Sequence, residues 1–441
     1  MISFEPEPEF QAKLDWTREF CESELMPLNY LLMADKQAAH GGKPKVVDDA
    51  KFKRHIRTLQ DEVKKQGLWG LHLGPELGGP GLGQVKLCLM NEILSQAGMA
   101  PTVFGTRAPD TGNAELIAHL GTPEQKKTWL EPIMNDEFRT CYSMTEPHAG
   151  SDPGMFKTRA WREGDEWVIE GEKWFSSYAD EARLLICMAI TNPDAPLISR
   201  ASMFLVPRDA PGLEIVRNVG TFNEPWGEGD HGYVRYNRVR LPADALLGPE
   251  GAGFTGSQTR LSGGRIHHAM RAVGTAQKAL DMACERVLSR ETKGSLLSDK
   301  QMVQESIADS YIQLRQFRLH VLYAAWLIDK HKAYNREVRR EIAAVKVSAP
   351  KVLMDVVYRA LHIHGSLGAS NEVELGNMWM NMPWMGIVDG PTEVHKVTVA
   401  QQTLRYYKPS DDLFPSYHLP KKVAQARAKY AELLEHEVGA L

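Results

Sequence analysis

The spacing of the apolar residues changes twice along this chain, and the change limits the fold classes that the chain can adopt. Up to about residue 137, and again over about 251–405, apolar residues recur with the spacing of an amphipathic helix. Over about 138–250, short apolar runs are separated by Gly, Pro, Asn and Asp, which is typical of strands joined by turns. Helices, then strands, then helices predict an α+β protein: an N-terminal helical domain over 1–137, a central β domain over 138–250, a C-terminal helical bundle over 251–405 and a helical tail over 406–441.

Two apolar stripes and one capping signal are the clearest helical features. The first stripe contains Phe10, Leu14, Phe20, Leu25 and Leu28. The longer stripe contains Val303, Ile307, Tyr311, Leu314, Phe317, Val321 and Ala324. We expect both sets to face the core, because residues at helical spacing share one face. The string Thr122-Pro123-Glu124 predicts the start of another helix, with the threonine as its N-cap.

The composition argues against several classes of function. Net charge is −4 with a sequence pI near 6.4, and no Lys/Arg run forms a basic stripe, so we expect no nucleic-acid partner. The five cysteines are scattered without Cys-x-x-Cys spacing, so we expect no disulfide framework and no metal site. The N-terminus is acidic and polar, and no apolar run reaches membrane-spanning length. These features predict a cytoplasmic protein without membrane insertion.

Several short strings carry a resemblance to one enzyme family. They are residues 142–152 (YSMTEPHAGSD), 171–177 (GEKWFSS), 247–254 (LGPEGAGF), 290–294 (RETKG), 361–368 (LHIHGSLG) and 387–396 (IVDGPTEVHK). In this order they resemble the signatures of the acyl-CoA dehydrogenase family, and the resemblance covers about residues 60–405. It implies the family's fold, with a central β-barrel-like domain and a C-terminal four-helix bundle. It also implies FAD as the cofactor.

The first two strings are the ones that the resemblance places against the flavin. It implies that the flavin is lined by Tyr142, Met144 and Thr145. Phe175 would stack at the ring, where many family members have Trp, and Ser177 would donate a hydrogen bond near N5. Ser151 would contact the CoA arm at the edge of the cofactor site. The alternative is structural, since the same residues suit a capping turn followed by an ordinary strand.

A second group is implied to reach the flavin of a partner subunit. Its members are Arg290, Thr292, Gln301, His362 and Gly365. A cationic fork beside a hydroxyl suits a diphosphate. Three positions depart from the family pattern: Lys293 replaces a Phe, His362 replaces a Gln and Ser366 replaces a Gly. Such contacts across subunits imply a homodimer or a homotetramer.

Arg265 follows the third string at the start of a helix. The resemblance places it near the substrate, and its fixed fork of donors suits a phosphate or a pantetheine carbonyl. The alternative is an arginine paired with a carboxylate of its own helix.

Asp389 occupies the position of the family's catalytic base, in a branch that writes the motif Asp-Gly-Pro. The resemblance adds Gly390 and Glu393 of the same segment to the cofactor site, and some members carry the base at a helix position occupied here by Gly264. The α proton of a thioester needs a positioned base and aimed donors for the enolate oxygen. We expect the N–H of Asp389 and a ribityl hydroxyl of FAD to be those donors, and burial to raise the pKa of Asp389. The alternative is a plain turn.

The resemblance therefore implies FAD-dependent α,β-dehydrogenation of an acyl-CoA to the 2-enoyl-CoA, as in fatty acid β-oxidation. Electrons would pass to an electron-transfer flavoprotein. An aspartate base also keeps a second reading open, a flavin oxidase of a non-CoA carbon acid, similar to nitroalkane oxidase. A third reading is an inactive structural subunit without flavin, against which the retained Asp389, Ser177 and Arg290 argue.

Overall fold

The part of the chain that precedes the first strand is mostly helical. The computed structural model describes residues 5–40, 47–75, 78–222, 224–331, 335–410 and 412–434. The helices before the first strand are α1 (Pro8–Phe20), α2 (Met26–His40), α3 (Asp49–Lys65), α4 (Gln84–Leu94), α5 (Ala100–Val103), α6 (Asp110–Leu120), α7 (Pro123–Gln125) and α8 (Glu131–Met134). Phe10, Leu14, Phe20, Leu25 and Leu28 are all buried, so the first predicted stripe does face the core.

The helix start predicted at Thr122 is confirmed. The hydroxyl of Thr122 accepts from the N–H of Gln125, and the side chain of Gln125 accepts from the N–H of Thr122, which makes a capping box. The amide of Gln125 also donates to the carbonyls of Asp244 and Leu246, at 2.7 and 2.9 Å. This cap therefore ties the N-terminal helices to the following β domain.

The central part of the chain is one sheet. Its strands are β1 (Arg139–Ser143), β2 (Arg159–Glu163), β3 (Glu166–Ser177), β4 (Ala182–Ile190), β5 (Ala201–Pro207), β6 (Leu213–Val219), β7 (His231–Pro242) and β8 (Leu246–Leu247). They run in the order β6-β7-β3-β2-β4-β5-β8, and β1 pairs in parallel with β4. Strand β3 pairs with β7, and their register shifts between Lys173 and Ser176. Such a bulge changes the direction in which the side chains of the strand point.

Long helices return after the sheet, as the second change of spacing predicts. They are α9 (Gly253–Ser289), α10 (Gln301–His331), α11 (Arg336–His364), α12 (Ser366–Ala369), α13 (Leu375–Met385) and α14 (Thr392–Leu404), with a short hairpin of β9 (Glu291–Thr292) and β10 (Ser295–Leu296) after α9. Helix α11 packs against α9, α10, α13 and α14. The fold of helices, sheet and helices is thus the predicted α+β arrangement.

One expectation for α10 is wrong in its first turns. Leu314, Phe317, Val321 and Ala324 of the predicted stripe are buried, but Tyr311 is 52% exposed. Here Tyr311 lines an apolar groove between the end of α9 and the first turns of α10, instead of facing a covered core.

The predicted helical tail begins after α14. It contains α15 (Leu419–Lys429) and α16 (Ala431–Leu434), and neither helix has a buried residue. Across the part of the chain that the structure describes, no helix is both long and apolar enough to cross a membrane.

A buried ion pair joins strand β3 to the end of β1. Lys173 and Glu146 are almost fully buried, and Nζ of Lys173 lies 2.9 Å from Oε1 of Glu146. The same ammonium donates to the carbonyl of Met144, and the carboxylate also accepts from the N–H groups of Lys157 and Thr158. Because both buried charges also make hydrogen bonds to the backbone, the pair fixes the loop that follows β1.

Replacing Lys173 by Met leaves the Glu146 carboxylate buried without its counter-ion. We expect the free energy of unfolding to fall by about 3–5 kcal/mol, because an uncompensated buried charge is costly. Urea unfolding measures the change. The double variant Glu146→Gln/Lys173→Met should lose less than the single variant, and a Lys173→Met protein as stable as wild type would contradict this account.

Candidate active site

A cavity lies where the N-terminal helices meet α9 and the turn before α14. Its wall is unusually rich in ionisable groups, and these include His72, Glu115, Arg260, His267, His268, Arg271 and Asp389. Helix α6 supplies the glutamate, α9 supplies the arginines and the paired histidines, and the turn supplies the aspartate. The cavity therefore combines one carboxylate on a turn with several donors from a single helix.

The turn that carries Asp389 has an uncommon backbone. Asp389 has a φ of +54° and Gly390 a φ of +102°, after which Pro391 is the N-cap of α14. An aspartate tolerates the left-handed region better than most residues, and a glycine enters it freely. The backbone carbonyl of Asp389 accepts from Nε of Arg265 at 2.9 Å and lies 3.2 Å from Nε2 of His395. These contacts hold the turn in place.

The Asp389 carboxylate points at helix α9. Its Oδ2 lies 3.0 Å from Nε2 of His268, and Nδ1 of that ring lies 3.1 Å from Nη2 of Arg271. The carboxylate lies close to the backbone of Gly264, since a Cβ atom added there would be 2.7 Å from Oδ2. The glycine that cannot act as a base is thus the residue that makes room for the carboxylate.

The pKa of Asp389 is lowered well below its ordinary value. Burial alone raises this pKa, but the hydrogen bond to His268 and the electrostatic interaction with that ring lower it. The positive charges of Arg260 and Arg265 lower it further. The expectation that burial would raise the pKa was therefore wrong, because it left out the cations that surround the carboxylate.

Other buried groups around the cavity also have shifted pKa values. Burial raises the pKa of Glu115 to about 7 and lowers that of Lys346 to about 8. Burial lowers the pKa of His267 to about 3 and that of His395 to about 4. The buried histidines are therefore neutral near pH 7, and the arginines supply most of the positive charge.

The residues predicted to line the flavin lie on and beside the β domain. Tyr142 is buried in β1 under the guanidinium of Arg260, which lies 4.1 Å above its ring. Met144 and Thr145 are half-buried after β1, and the Thr145 carbonyl accepts from the N–H of Trp174 at 2.7 Å. Ser151 is exposed in the next loop. Tyr142, Met144 and Thr145 therefore lie at the end of β1 and directly after it.

Phe175 stands at the bulge of strand β3. It has a φ of +54° and is 39% exposed, and its ring stacks on His231 with centroids 5.0 Å apart. The hydroxyl of Ser177 is 2.8 Å from Nδ1 of the same histidine. The bulge thus turns a flat aromatic ring toward the surface with a hydroxyl beside it.

The remaining predicted site residues do not line the cavity. Exposed positions on the C-terminal helices and hairpin include Arg290, Thr292, Gln301, His362 and Gly365. Glu393 is also exposed, but it lies in the first turn of α14, four residues after Asp389. Arg265, which was predicted to contact substrate, donates from Nε to the backbone carbonyl of Asp389.

Sequence reasoning missed His268 and Arg271. Both lie on α9 after Arg265, each three residues from the one before, so they share a helix face. That spacing, in a helix next to the base motif, was the available signal. It gave no indication of which distant carboxylate these side chains contact.

The adjacent glycines of α9 permit a matched test of the close approach. Gly263→Ala places a Cβ 3.6 Å from Glu115, an ordinary contact, and should raise the free energy of unfolding by about 0.5–1 kcal/mol through helix propensity. Gly264→Ala meets Oδ2 of Asp389 at 2.7 Å and should give less stability, because the buried carboxylate must move. Urea unfolding of both variants measures the difference. Equal stabilisation of the two would exclude the close approach.

Comparison with known proteins gives matches along most of the chain. The family model described as "Acyl-CoA dehydrogenase, N-terminal domain" matches residues 7–137, the middle-domain model matches 141–229, and the C-terminal-domain model matches 251–404. The solved structure described as an acyl-CoA dehydrogenase from Mycobacterium abscessus is 36% identical, with a TM-score of 0.84 over 92% of this chain and 100% of that one.

Two curated relatives show the same likeness at different coverage. "Probable acyl-CoA dehydrogenase FadE2" of Mycobacterium tuberculosis is 41% identical over 354 residues, 79% of this chain and 85% of the relative. "Acyl-CoA dehydrogenase family member 11" of Rattus norvegicus is 38% identical over 355 residues, 79% of this chain, but the match spans only 45% of that longer relative. The chain belongs to the acyl-CoA dehydrogenase family of oxidoreductases.

Proposed function

We propose that this protein catalyses the FAD-dependent α,β-dehydrogenation of an acyl-CoA thioester, with Asp389 as the base. The supporting observation is the Asp389 carboxylate, which lies in the cavity wall and in the family's base motif. Its low pKa keeps it ionised at neutral pH, the form in which it can accept a proton, while the same cations make it a weaker base. Membership of the family supplies the reaction class.

Asp389 removes the α proton in this proposal. One carboxylate oxygen is already engaged with His268, so the other is the acceptor. The backbone N–H of Asp389 donates to the thioester oxygen, where negative charge develops in the transition state. Arg265 and His395 assist by holding the carbonyl of the same residue, which fixes the orientation of that N–H.

The β domain offers a surface that fits a flavin. Phe175 is a large aromatic ring held outward by a left-handed backbone, and aromatic faces stack on planar heterocycles. Ser177 places a hydroxyl beside it, and Met144 and Thr145 lie at the neighbouring end of β1. Bound FAD would supply the acceptor for the hydride that leaves the β carbon.

We further propose that the exposed set on the C-terminal helices binds the FAD of a second subunit. Arg290 and Thr292 lie in the hairpin after α9, and His362 and Gly365 lie at the end of α11. Their exposure in the single chain supports a contact made in a homodimer or homotetramer. We also propose an electron-transfer flavoprotein as the acceptor and the cytoplasm as the site of action.

Asp389→Asn tests the role of the base. The change keeps the side-chain volume, so the protein should still bind FAD, while the rate of flavin bleaching by an acyl-CoA should fall about 10²–10⁴-fold. Stopped-flow absorbance measures this rate. The matched control is Asp165→Asn, the same chemical change in an exposed turn of the β domain, which should bleach like wild type. Normal bleaching by Asp389→Asn would remove this residue from the proposed role.

A panel of CoA thioesters that differ in length and branching identifies the substrate class. We expect bleaching by at least one thioester, slow oxygen consumption, and continued turnover when an oxidised electron-transfer flavoprotein is added as the electron acceptor. Fast oxygen consumption with a nitroalkane, and no bleaching by any thioester, would favour the oxidase instead. A purified protein without flavin absorbance would favour the structural subunit.

A further inference from the structure

Helix α9 holds Asp389 by both its backbone and its side chain. Arg265 donates to the backbone carbonyl at 2.9 Å, and His268 contacts the carboxylate at 3.0 Å. Gly264 leaves the room that the carboxylate occupies, and Arg271 contacts the far side of the histidine ring. Arg265, His268 and Arg271 project from one face of the helix, so a single rigid element sets the geometry of the base.

The contact with Arg271 determines where His268 carries its proton. A guanidinium can only donate, so the Nδ1 atom of His268, 3.1 Å from Nη2 of Arg271, is the acceptor. The proton of a neutral ring then lies on Nε2, which faces Oδ2 of Asp389. Burial lowers the pKa of His268, which agrees with a neutral ring. His268 is therefore a donor to the carboxylate.

We propose that His268, fixed in this tautomer by Arg271, is a positioning residue that holds Oδ2 of Asp389 and leaves Oδ1 to take the α proton. This inference rests on the proposed function of Asp389. It assigns to two residues of α9 a role that no motif of the chain indicates.

The hydrogen bond survives the proton transfer. The α C–H bond breaks, its electron pair stays with the thioester as the enolate, and a new O–H bond forms at Oδ1. Oδ2 then becomes a carbonyl oxygen, which still accepts from Nε2 of His268, and the histidine keeps its own proton. The carboxyl group therefore does not need to rotate between the start and the end of the step.

The pair is surrounded by charged and titratable groups from several elements. They are Tyr142 of β1, Glu115 of α6, Arg260, Arg265, His267 and Arg271 of α9, Lys346 of α11 and His395 of α14. Positive groups dominate this set near pH 7. They remain when His268 is replaced, so a change at His268 alone reports on its own hydrogen bond.

His268→Leu removes the hydrogen-bond donor and puts an apolar side chain of similar size in its place. Burial, which raises the pKa of Asp389, is then opposed by fewer contacts, so this pKa rises. Because the base form is lost as pH falls through that pKa, the acidic limb of kcat/KM should move up, so that the variant loses activity at acidic pH values where wild type keeps it. We also expect kcat to fall about 10–100-fold.

His268→Gln and His119→Leu are the matched controls. Gln places an amide N–H near the position of Nε2, so it should recover much of kcat and return the acidic limb toward that of wild type. His119 is an exposed histidine of α6, and its replacement should leave both quantities unchanged. A structural role for His268 would not give recovery by Gln together with a shifted pH profile.

Nuclear magnetic resonance of ¹⁵N-histidine-labelled protein tests the tautomer without any substrate. The wild-type signal that disappears in His268→Gln should show the proton on Nε2. Arg271→Met removes the donor to Nδ1 and should shift that signal toward a mixture of tautomers. A proton on Nδ1 in wild type would overturn the proposal.

The kinetic outcomes separate this inference from the proposed function. The thioester used is the member of the panel that bleaches wild type fastest. If Asp389→Asn abolishes bleaching while His268→Leu keeps the wild-type kcat and acidic limb, only the positioning role fails. If Asp389→Asn bleaches normally, the proposed function itself fails.

Discussion

The site depends on one short turn, which side chains of a long helix hold in place. Asp389 and Gly390 both adopt positive φ, which costs free energy for the aspartate and persists only because the surroundings fix it. Arg265 of α9 and His395 of α14 supply that restraint through the carbonyl of Asp389. The helix that builds the core of the C-terminal domain is therefore also the support of the proposed base.

A second support lies in the sheet. The buried pair of Glu146 and Lys173 anchors the loop after β1 through the Met144 carbonyl and two backbone N–H groups. Only two residues after Lys173, strand β3 bulges and turns Phe175 outward. The buried ion pair thus restrains strand β3 just before the point where the Phe175 ring is exposed.

The sequence was informative where local pattern decides the structure. Hydrophobic spacing predicted the helical, β and helical parts, and the motif of residues 387–396 drew attention to Asp389. It was uninformative where the answer depends on residues far apart in the chain. His268 and Asp389 are 121 positions apart, so neither their contact nor the lowered pKa of the aspartate could be predicted. The exposure of Tyr311 was missed because a stripe does not show whether another element covers the apolar face along its whole length.

The contact between Gly264 and Asp389 has a consequence for how such enzymes diverge. Some members of the family carry the base at the helix position that is Gly264 here, whereas the base proposed for this chain lies on the turn. Any side chain at 264 would enter the space of the Asp389 carboxylate, since even a Cβ lies 2.7 Å from Oδ2. A side chain at 264 and the Asp389 carboxylate in this position therefore compete for the same space, so a base on the helix requires the side chain at 389 to move or to become smaller.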